Sequence, residues 1–177
     1  LWDANTGEIR DAVAFSQNNN ITTVPLILEP YESVFVVFDR PIDKNMQGTA
    51  SHNFASFQTI QPLSGEWQVT FDPLWGGPGT VTFSELADWT THPDDGIRFY
   101  SGSAVYHKTF TPDFLIQNDK RYFLQLNEVK DVGIAAVKIN GIDKGILWTK
   151  PFRVEITSEL QAGENTLEIE VVNSWYN

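Results

Sequence analysis

Hydrophobic and polar residues alternate along most of the chain, and no segment of ten or more residues shows a clear helical period. Trp67, Val69 and Phe71 are apolar while the residues between them are polar, which is the pattern of a half-buried strand. The further candidate strands, bounded by Gly, Pro, Asn or Asp, are 80–83, 104–110, 122–129, 133–139, 152–157 and 166–171. Many short strands at this spacing predict an all-β fold, an antiparallel β-sandwich.

Local signals predict three further details. Asn140-Gly141 separates two alternating runs and therefore predicts a tight hairpin, because both central residues must accept a positive φ. Gly145, soon after it, predicts a β-bulge or a close approach of backbone. Residues 84–89, with Ser84 as the cap, and residues 112–117 are each predicted to form one helical turn.

The amino-terminal part has a different pattern. Residues 9–15, 21–28 and 34–38 are predicted to form a short β-meander, whose last run is buried on both faces. We expect residues 1–42 to be the end of an upstream β domain, or else strands laid against the main sandwich. Residues 43–64 are polar without a sustained period and predict a linker, followed by the sandwich over 65–177. A start at Leu1 rather than methionine suggests a processed product or a fragment.

The charge and residue composition limit the kinds of partner and site that this chain can have. Twelve basic and 23 acidic residues give a net charge of −11, which repels phosphate backbones and argues against nucleic acid. The chain has no cysteine, which excludes disulfides, thiolate metal sites and cysteine nucleophiles. The longest apolar run lies around Val34 to Phe38 and is far too short to span a bilayer.

Ordered motifs in the second half of the chain resemble a known family. "YHKTF", "KINGIDKGILW" and "GENTLEIEVVNSW" follow one another as in the sugar-binding jelly-roll domain of glycoside hydrolase family 2. "GEWQVTFDPLWGGPG" is similar to the carboxy-terminal sandwich of bacterial enzymes like the family 106 α-L-rhamnosidases, and "LWDANTGEIRDA" with "LEPYESVFVVF" is similar to the end of the preceding β domain.

This resemblance implies a galactose-binding-like jelly roll without the catalytic barrel of such enzymes. The implied function is a non-catalytic accessory domain of a secreted or periplasmic glycoside hydrolase. Its implied partners are carbohydrate and the catalytic domain of the parent chain. Two alternatives stay open: a purely structural interdomain sandwich without a ligand, and a glycosidase in its own right.

One loop-rich stretch combines aromatic rings, which stack on sugar faces, with polar groups that bond hydroxyls. The candidate carbohydrate-binding residues are Trp75, Trp89, His92, Asp94, Asp95, Arg98 and Tyr100. In the alternative interpretation, Trp89 anchors a short helix to the core and Arg98 pairs with an aspartate of the same loop. Trp148 is expected in the core or a domain interface, with a sugar platform as the alternative, and Trp67 and Trp175 in the core.

The sequence gives weaker support for a catalytic site or a metal site than for carbohydrate binding. A glycosidase holds two carboxylates roughly 5 to 10 Å apart, and in so acidic a chain chance proximity is expected, so no catalytic residue is assigned. The available carboxylates are Asp94, Asp95, Asp113, Asp119, Glu128 and Asp131. The histidines His52, His92 and His107 lack the close spacing of zinc ligands. No cofactor is expected, although Asp94, Asp95 or Asp131 could serve a structural calcium ion.

Overall fold

The computed structural model describes residues 1–127, 129 and 133–173, and the chain divides into two compact units. Unit 1 is Leu1–Gln58 and unit 2 is Thr59–Asn177. The strands of unit 1 are β1 (Trp2–Asp3), β2 (Ser16–Asn18), β3 (Ile21–Thr23) and β4 (Val34–Phe35). Those of unit 2 are β5 (Trp67–Phe71), β6 (Thr80–Phe83), β7 (Ser103–Phe110), β8 (Phe123–Gln125), β9 (Ile134–Ile139), β10 (Ile142–Leu147), β11 (Arg153–Glu155) and β12 (Asn165–Val172).

Helical structure is confined to three single turns in unit 2 among the described residues. Two are 3-10 helices, Pro73–Trp75 and Trp89–Thr91, and the third is the helix α1, Asp95–Arg98. Both predicted helical turns are wrong. The first lies later than expected, because Asp88 rather than Ser84 caps it. Residues 112–117 are irregular, and the backbone N–H of Asp113 donates a hydrogen bond to the Gln61 side chain.

Unit 2 is an antiparallel β-sandwich, as predicted. Its large sheet has six strands in the order β10-β9-β12-β7-β5-β6, and β8 pairs with β11 in a second, two-stranded sheet. Leu124 and Val154, which face each other in the small sheet, pack against the buried side chains of the large sheet. The core of unit 2 therefore lies between these two sheets.

The predicted alternation is confirmed in the register of the large sheet. Val69, Tyr106, Ile169 and Val137 form one cross-strand row, and each is no more than 8% exposed. The adjacent row, one residue along, is polar and lies on the outer face: Gln68, His107, Glu168 and Lys138. One face of each strand thus supplies the core and the other faces solvent.

The hairpin between β9 and β10 is confirmed. Asn140 and Gly141 have φ values of 51° and 79°, as a tight turn of this kind requires. Gly145 has a φ of 91°, and the register shifts between Asp143 and Ile146, so the predicted bulge is also present. The carboxylate of Asp143 accepts a hydrogen bond from the Gly145 N–H at 2.7 Å and holds the bulge in place.

A buried amide joins this hairpin to the start of β12. Asn165 is fully buried, and its side chain makes four hydrogen bonds. Its Oδ1 accepts from the Gln161 N–H and from Asn140 Nδ2, while its Nδ2 donates to the carbonyls of Gln161 and Gly163. The motif "GENTL" therefore closes a loop by satisfying every polar atom of one buried amide.

Unit 1 differs from the predicted three-stranded meander. Residues 9–15, all described, form only a single bridge, Ile9 to Trp2, and β3 and β4 are much shorter than predicted. The pairs are β1 with β4, and β2 with β3 through Asn19 and Asn20, which have φ values of 50° and 61°. The run Val34 to Phe38 is not buried, since Phe35 and Phe38 are 60% and 73% exposed.

Part of the predicted linker is held by hydrogen bonds to the rest of unit 1. The Gly48 N–H donates to the Phe15 carbonyl at 2.8 Å, and the buried amide of Asn53 bonds both the N–H and the carbonyl of Ala14. The boundary between the two units follows Gln58, inside the segment 43–64.

The tryptophans outside the candidate site differ in environment. Trp67 is 4% exposed and belongs to the core, as predicted. Trp148 is 62% exposed, so its assignment to the core is wrong. It follows directly after the edge strand β10, where no further strand covers it among the described residues. Trp175 lies outside the described residues.

Candidate functional site

The predicted site residues lie on two consecutive loops of unit 2. The first loop joins β5 to β6 and carries Trp75, and the second joins β6 to β7 and carries the other six residues. The loops meet at Gly96, where an added Cβ would lie 3.7 Å from the Gly76 carbonyl oxygen and 3.8 Å from Pro78 Cδ. The structure therefore brings both predicted segments together.

Two of the predicted residues belong to the core. Trp89 is 8% exposed and Tyr100 is 2% exposed, and their rings contact Phe71 edge to face at 5.3 and 5.1 Å. The indole N–H of Trp89 donates to the hydroxyl of Tyr106 at 2.5 Å. Neither ring presents a stacking face to solvent. These contacts of Trp89 agree with the alternative interpretation, in which Trp89 anchors a short helix to the core.

The Tyr106 hydroxyl has an altered acidity. Burial raises the pKa of Tyr106, because the charged phenolate loses its hydration, and the hydrogen bond from Trp89 opposes part of this rise. The Trp89–Tyr106 pair is thus a neutral, desolvated hydrogen bond that fixes the second loop on the core.

Tyr100 joins the two loops through its hydroxyl. That group accepts a hydrogen bond from the Asp72 N–H at 3.1 Å and donates to the Ser103 carbonyl at 2.9 Å. Gly77 lies directly on the ring, since an added Cβ would be 2.9 Å from Tyr100 Cε2 and 2.6 Å from Phe71 Cβ. A larger residue than glycine would displace the first loop from the core.

The polar candidates bond mainly within their own loop. Asp94 caps helix α1 by accepting from the Gly96 N–H at 2.7 Å, and Asp95 forms an ion pair with Arg98. The guanidinium of Arg98 also lies 4.8 Å from the centre of the Phe99 ring. The pairing of Arg98 with an aspartate of the same loop was the alternative considered from the sequence.

His92 completes the second loop. Its ring stacks on Phe83 at 5.3 Å with an interplanar angle of 12°, and its Nδ1 accepts from the Asp94 N–H at 3.1 Å. Because Nδ1 is the acceptor, a neutral ring carries its proton on Nε2. His92 therefore supports the loop and leaves Nε2 as its remaining polar atom.

Trp75 is the predicted aromatic that faces solvent. It ends the 3-10 helix Pro73–Trp75, which Asp72 caps by accepting from the Leu74 N–H at 2.9 Å. Its side chain is 67% exposed, although the backbone beneath it is fixed by the cap and by Tyr100. An exposed aromatic ring on an ordered loop is the arrangement that sugar stacking requires.

Sequence reasoning missed Phe99, which is 63% exposed at the end of helix α1. The signal was the spacing of its neighbours. Ile97 and Tyr100, three positions apart, occupy the buried side of the helical turn and thereby place Phe99 on the outside. Leu74, 92% exposed beside Trp75, adds a further apolar side chain to this loop pair.

Two of the remaining candidate carboxylates lie in the part of the chain that the structure describes. Asp113 and Asp119 are exposed between β7 and β8, and Glu128 and Asp131 lie outside the described residues. Across residues 1–127, 129 and 133–173, no group of three or more His, Cys, Asp or Glu side chains could hold a metal ion. None of the helices in that part of the chain is long and apolar enough to cross a bilayer.

Comparison with known proteins relates this fold to glycosidases. No family model matches the chain. A putative β-glucuronidase from Formosa agariphila is 39% identical over 116 residues, which is 65% of this chain and 10% of that protein. The solved rhamnosidase of Novosphingobium sp. PP1Y is 31% identical with a TM-score of 0.74, over 92% of this chain and 15% of that chain.

A more distant neighbour shares the fold alone. The β-glucuronidase of Ruminococcus gnavus is 20% identical with a TM-score of 0.54, over 68% of this chain and 23% of that chain. The chain thus spans less than a quarter of each of these three proteins. Together, these likenesses show that the chain has a fold related to that of glycoside hydrolases.

Proposed function

We propose that this chain is a non-catalytic accessory domain of a longer glycoside hydrolase, similar to the carboxy-terminal galactose-binding-like domain of family 106 α-L-rhamnosidases. The likeness to a rhamnosidase over 92% of this chain, but only 15% of that one, supports this proposal. The parent enzyme, acting on glycans outside the cytoplasm, would be secreted or periplasmic. The domain holds a glycan or braces the catalytic domain.

The observation that carries glycan binding is the exposed ring of Trp75 on an ordered loop. Trp75 adjoins Gly76, whose carbonyl oxygen approaches Gly96 of the second loop. That loop carries Phe99, Arg98 and Asp95, which offer a further aromatic face and polar atoms. Sugars bind proteins through this combination of ring stacking and hydroxyl bonding. Trp89 and Tyr100 hold the two loops in place from below.

A structural domain without a ligand is the second candidate. The observation that favours it is the engagement of Asp94, Asp95 and Arg98 in capping and pairing within their own loop. A sugar hydroxyl would then compete with these internal contacts. The exposed Leu74 and Trp75 would in this case contact another domain of the parent chain.

The test is glycan binding by the purified chain, measured on a glycan array and then by calorimetry. We expect weak binding that falls in Trp75→Ala by roughly 5- to 150-fold, because stacking on an aromatic is worth on the order of 1 to 3 kcal/mol. Trp148→Ala tests the alternative sugar platform, since Trp148 is similarly exposed in the same unit but lies outside the loop pair, and we expect it to leave binding unchanged. Equal binding by the chain and by Trp75→Ala would remove the site.

Catalysis by the chain itself is tested with a panel of aryl glycosides. We expect no hydrolysis, because the carboxylates of the loop pair are held by a helix N-terminus and by an arginine. Turnover that survives repurification and is lost in Asp94→Asn or Asp95→Asn would instead identify a glycosidase.

A further inference from the structure

Unit 1 lacks a core of its own. Among its 58 residues, all of them described, the buried apolar side chains are Leu1 and Ala14. A folded unit of this size normally buries more than half of its surface around large apolar residues. The apolar residues of unit 1 instead lie largely at its surface.

The first feature is an exposed apolar row across the strands of unit 1. Trp2 pairs with Phe35 on one side and with Ile9 on the other, so these three side chains are cross-strand neighbours. Trp2 is 44% exposed, Phe35 60% and Ile9 68%. Neighbouring side chains in such a row form a continuous apolar surface rather than scattered exposed residues.

The second feature is the run Val34 to Phe38. Its last four side chains, Phe35 to Phe38, are all at least 36% exposed. Val34 and Phe35 form β4, and residues 36–38 continue from it outside any strand. Because consecutive side chains of a strand point to opposite sides, a strand extended over this run would present apolar surface on both faces. Within unit 1, β4 is bonded only to β1, which leaves its second edge unpaired. Apolar residues on both faces are typical of a strand inside a covered sheet.

We propose that unit 1 docks through the run Val34–Phe38 onto a β-sheet domain of the same longer polypeptide. That partner presents an unpaired strand edge to β4 and an apolar layer to each of its faces. This inference rests on the proposed function only for the existence of the longer polypeptide. It concerns a different unit from the Trp75 surface.

The likeness of the chain to parts of much longer proteins favours a partner in the same polypeptide. Unit 2 makes up about two thirds of the chain, which is the share that the glucuronidases match. The likeness to the rhamnosidase covers 92% of the chain and therefore includes most of unit 1 as well. Unit 1 thus recurs within a much longer protein, where further chain is present to cover its apolar run.

The chemistry of the surface argues for a β-sheet partner. A glycan would require polar groups beside the aromatic rings, but the run offers only valine and phenylalanine side chains. A helix could cover one face of the run but could not pair with the open edge of β4. A strand at the edge of a covered β-sheet can pair with β4, and the apolar layers on either side of that sheet can cover both faces of the run.

The test is amide hydrogen exchange, followed by mass spectrometry, on the 177-residue chain and on the longer polypeptide that contains it. We expect amides 34–38 to exchange rapidly in the monomeric chain and to slow by roughly 100-fold or more in the longer polypeptide. Amides of β12, in the middle of the large sheet, are the internal control and should be equally protected in both.

A pair of variants assigns the protection to the apolar run. Phe35→Ser in the longer polypeptide should restore fast exchange at residues 34–38, whereas Ile21→Ser, on the separate hairpin β2–β3, should not. Protection already present in the monomeric chain would overturn the proposal, and so would fast exchange in both proteins. Protection that grows with the concentration of the chain would assign the surface to a second copy and overturn it equally. None of these results bears on glycan binding at Trp75.

Discussion

At the scale of single residues, Asn165 is a fully buried amide whose hydrogen bonds join the β9–β10 hairpin to the start of β12. Its amide satisfies two N–H donors and two carbonyls inside a fully buried site. We expect Asn165→Ala to destabilise the chain by about 3 kcal/mol or more, because several buried polar groups lose their partners at once. Chemical denaturation measures this loss. Asn118→Ala, at an exposed turn, should change the unfolding free energy by less than about 0.5 kcal/mol.

The Tyr106 hydroxyl predicts a loss of stability in alkali. Its pKa is raised in the folded chain above the ordinary value of 10.0, so the unfolded chain ionises first as pH increases. The stabilisation is therefore complete below about pH 10 and is lost as pH rises towards the folded-state pKa. Denaturation of Tyr106→Phe on both sides of about pH 10 should show a shallower decline than the parent chain. An identical decline would contradict this assignment.

Residue types in the candidate loops could be predicted, but their roles could not. The mixture of Trp75, Trp89 and Arg98 indicated a binding surface, whereas the structure gives one exposed ring, one buried ring and one ion pair. Whether a side chain in these loops is buried or exposed depends on the path of the loop over the core. That path is set by local contacts such as the cap that Asp94 forms on helix α1. The sequence carries this signal only weakly, because aspartate before glycine also favours ordinary turns.

At the scale of elements, the β9–β10 hairpin depends on the backbone at Gly141. Its φ of 79° is unfavourable for residues with a Cβ, while no atom lies within 4 Å of an added Cβ. We expect Gly141→Ala to destabilise the chain by about 1 to 2 kcal/mol through conformation alone. Thermal or urea unfolding measures this. Gly163→Ala is the control, since it has equal space and no positive φ, and should be neutral or slightly stabilising.

Strands that bury one face within unit 2 could be predicted from the sequence. The burial of a segment that must be covered by a distant part of the polypeptide could not. The alternation of Trp67 to Phe71 and of Leu167 to Val171 gave both the strands and their inward faces. Val34 to Phe38 has the composition of a buried strand, but unit 1 contains nothing to bury it. Composition indicates that a segment is suited to burial, whereas the covering surface must come from elsewhere in the fold.

At the scale of the whole molecule, the two units should differ in resistance to proteolysis. Unit 2 contains the sandwich core, whereas unit 1 buries only two apolar side chains, so unit 1 should open far more often. Limited digestion of the chain should leave a fragment that begins near Thr59 and remove residues 1–58. A resistant product that retains the segment around Phe35 would show that unit 1 is stable in the isolated chain.

The glycine bulge in β10 has a consequence for behaviour in concentrated solution. β10 is an outer strand of the large sheet, and a straight outer strand can seed amyloid-like stacking by recruiting identical strands. The bulge between Asp143 and Ile146 interrupts the regular spacing of backbone groups along this strand, so an incoming strand could not pair with its full length. We therefore expect the bulge at Gly145 to hinder the growth of fibrils along that side of the folded molecule.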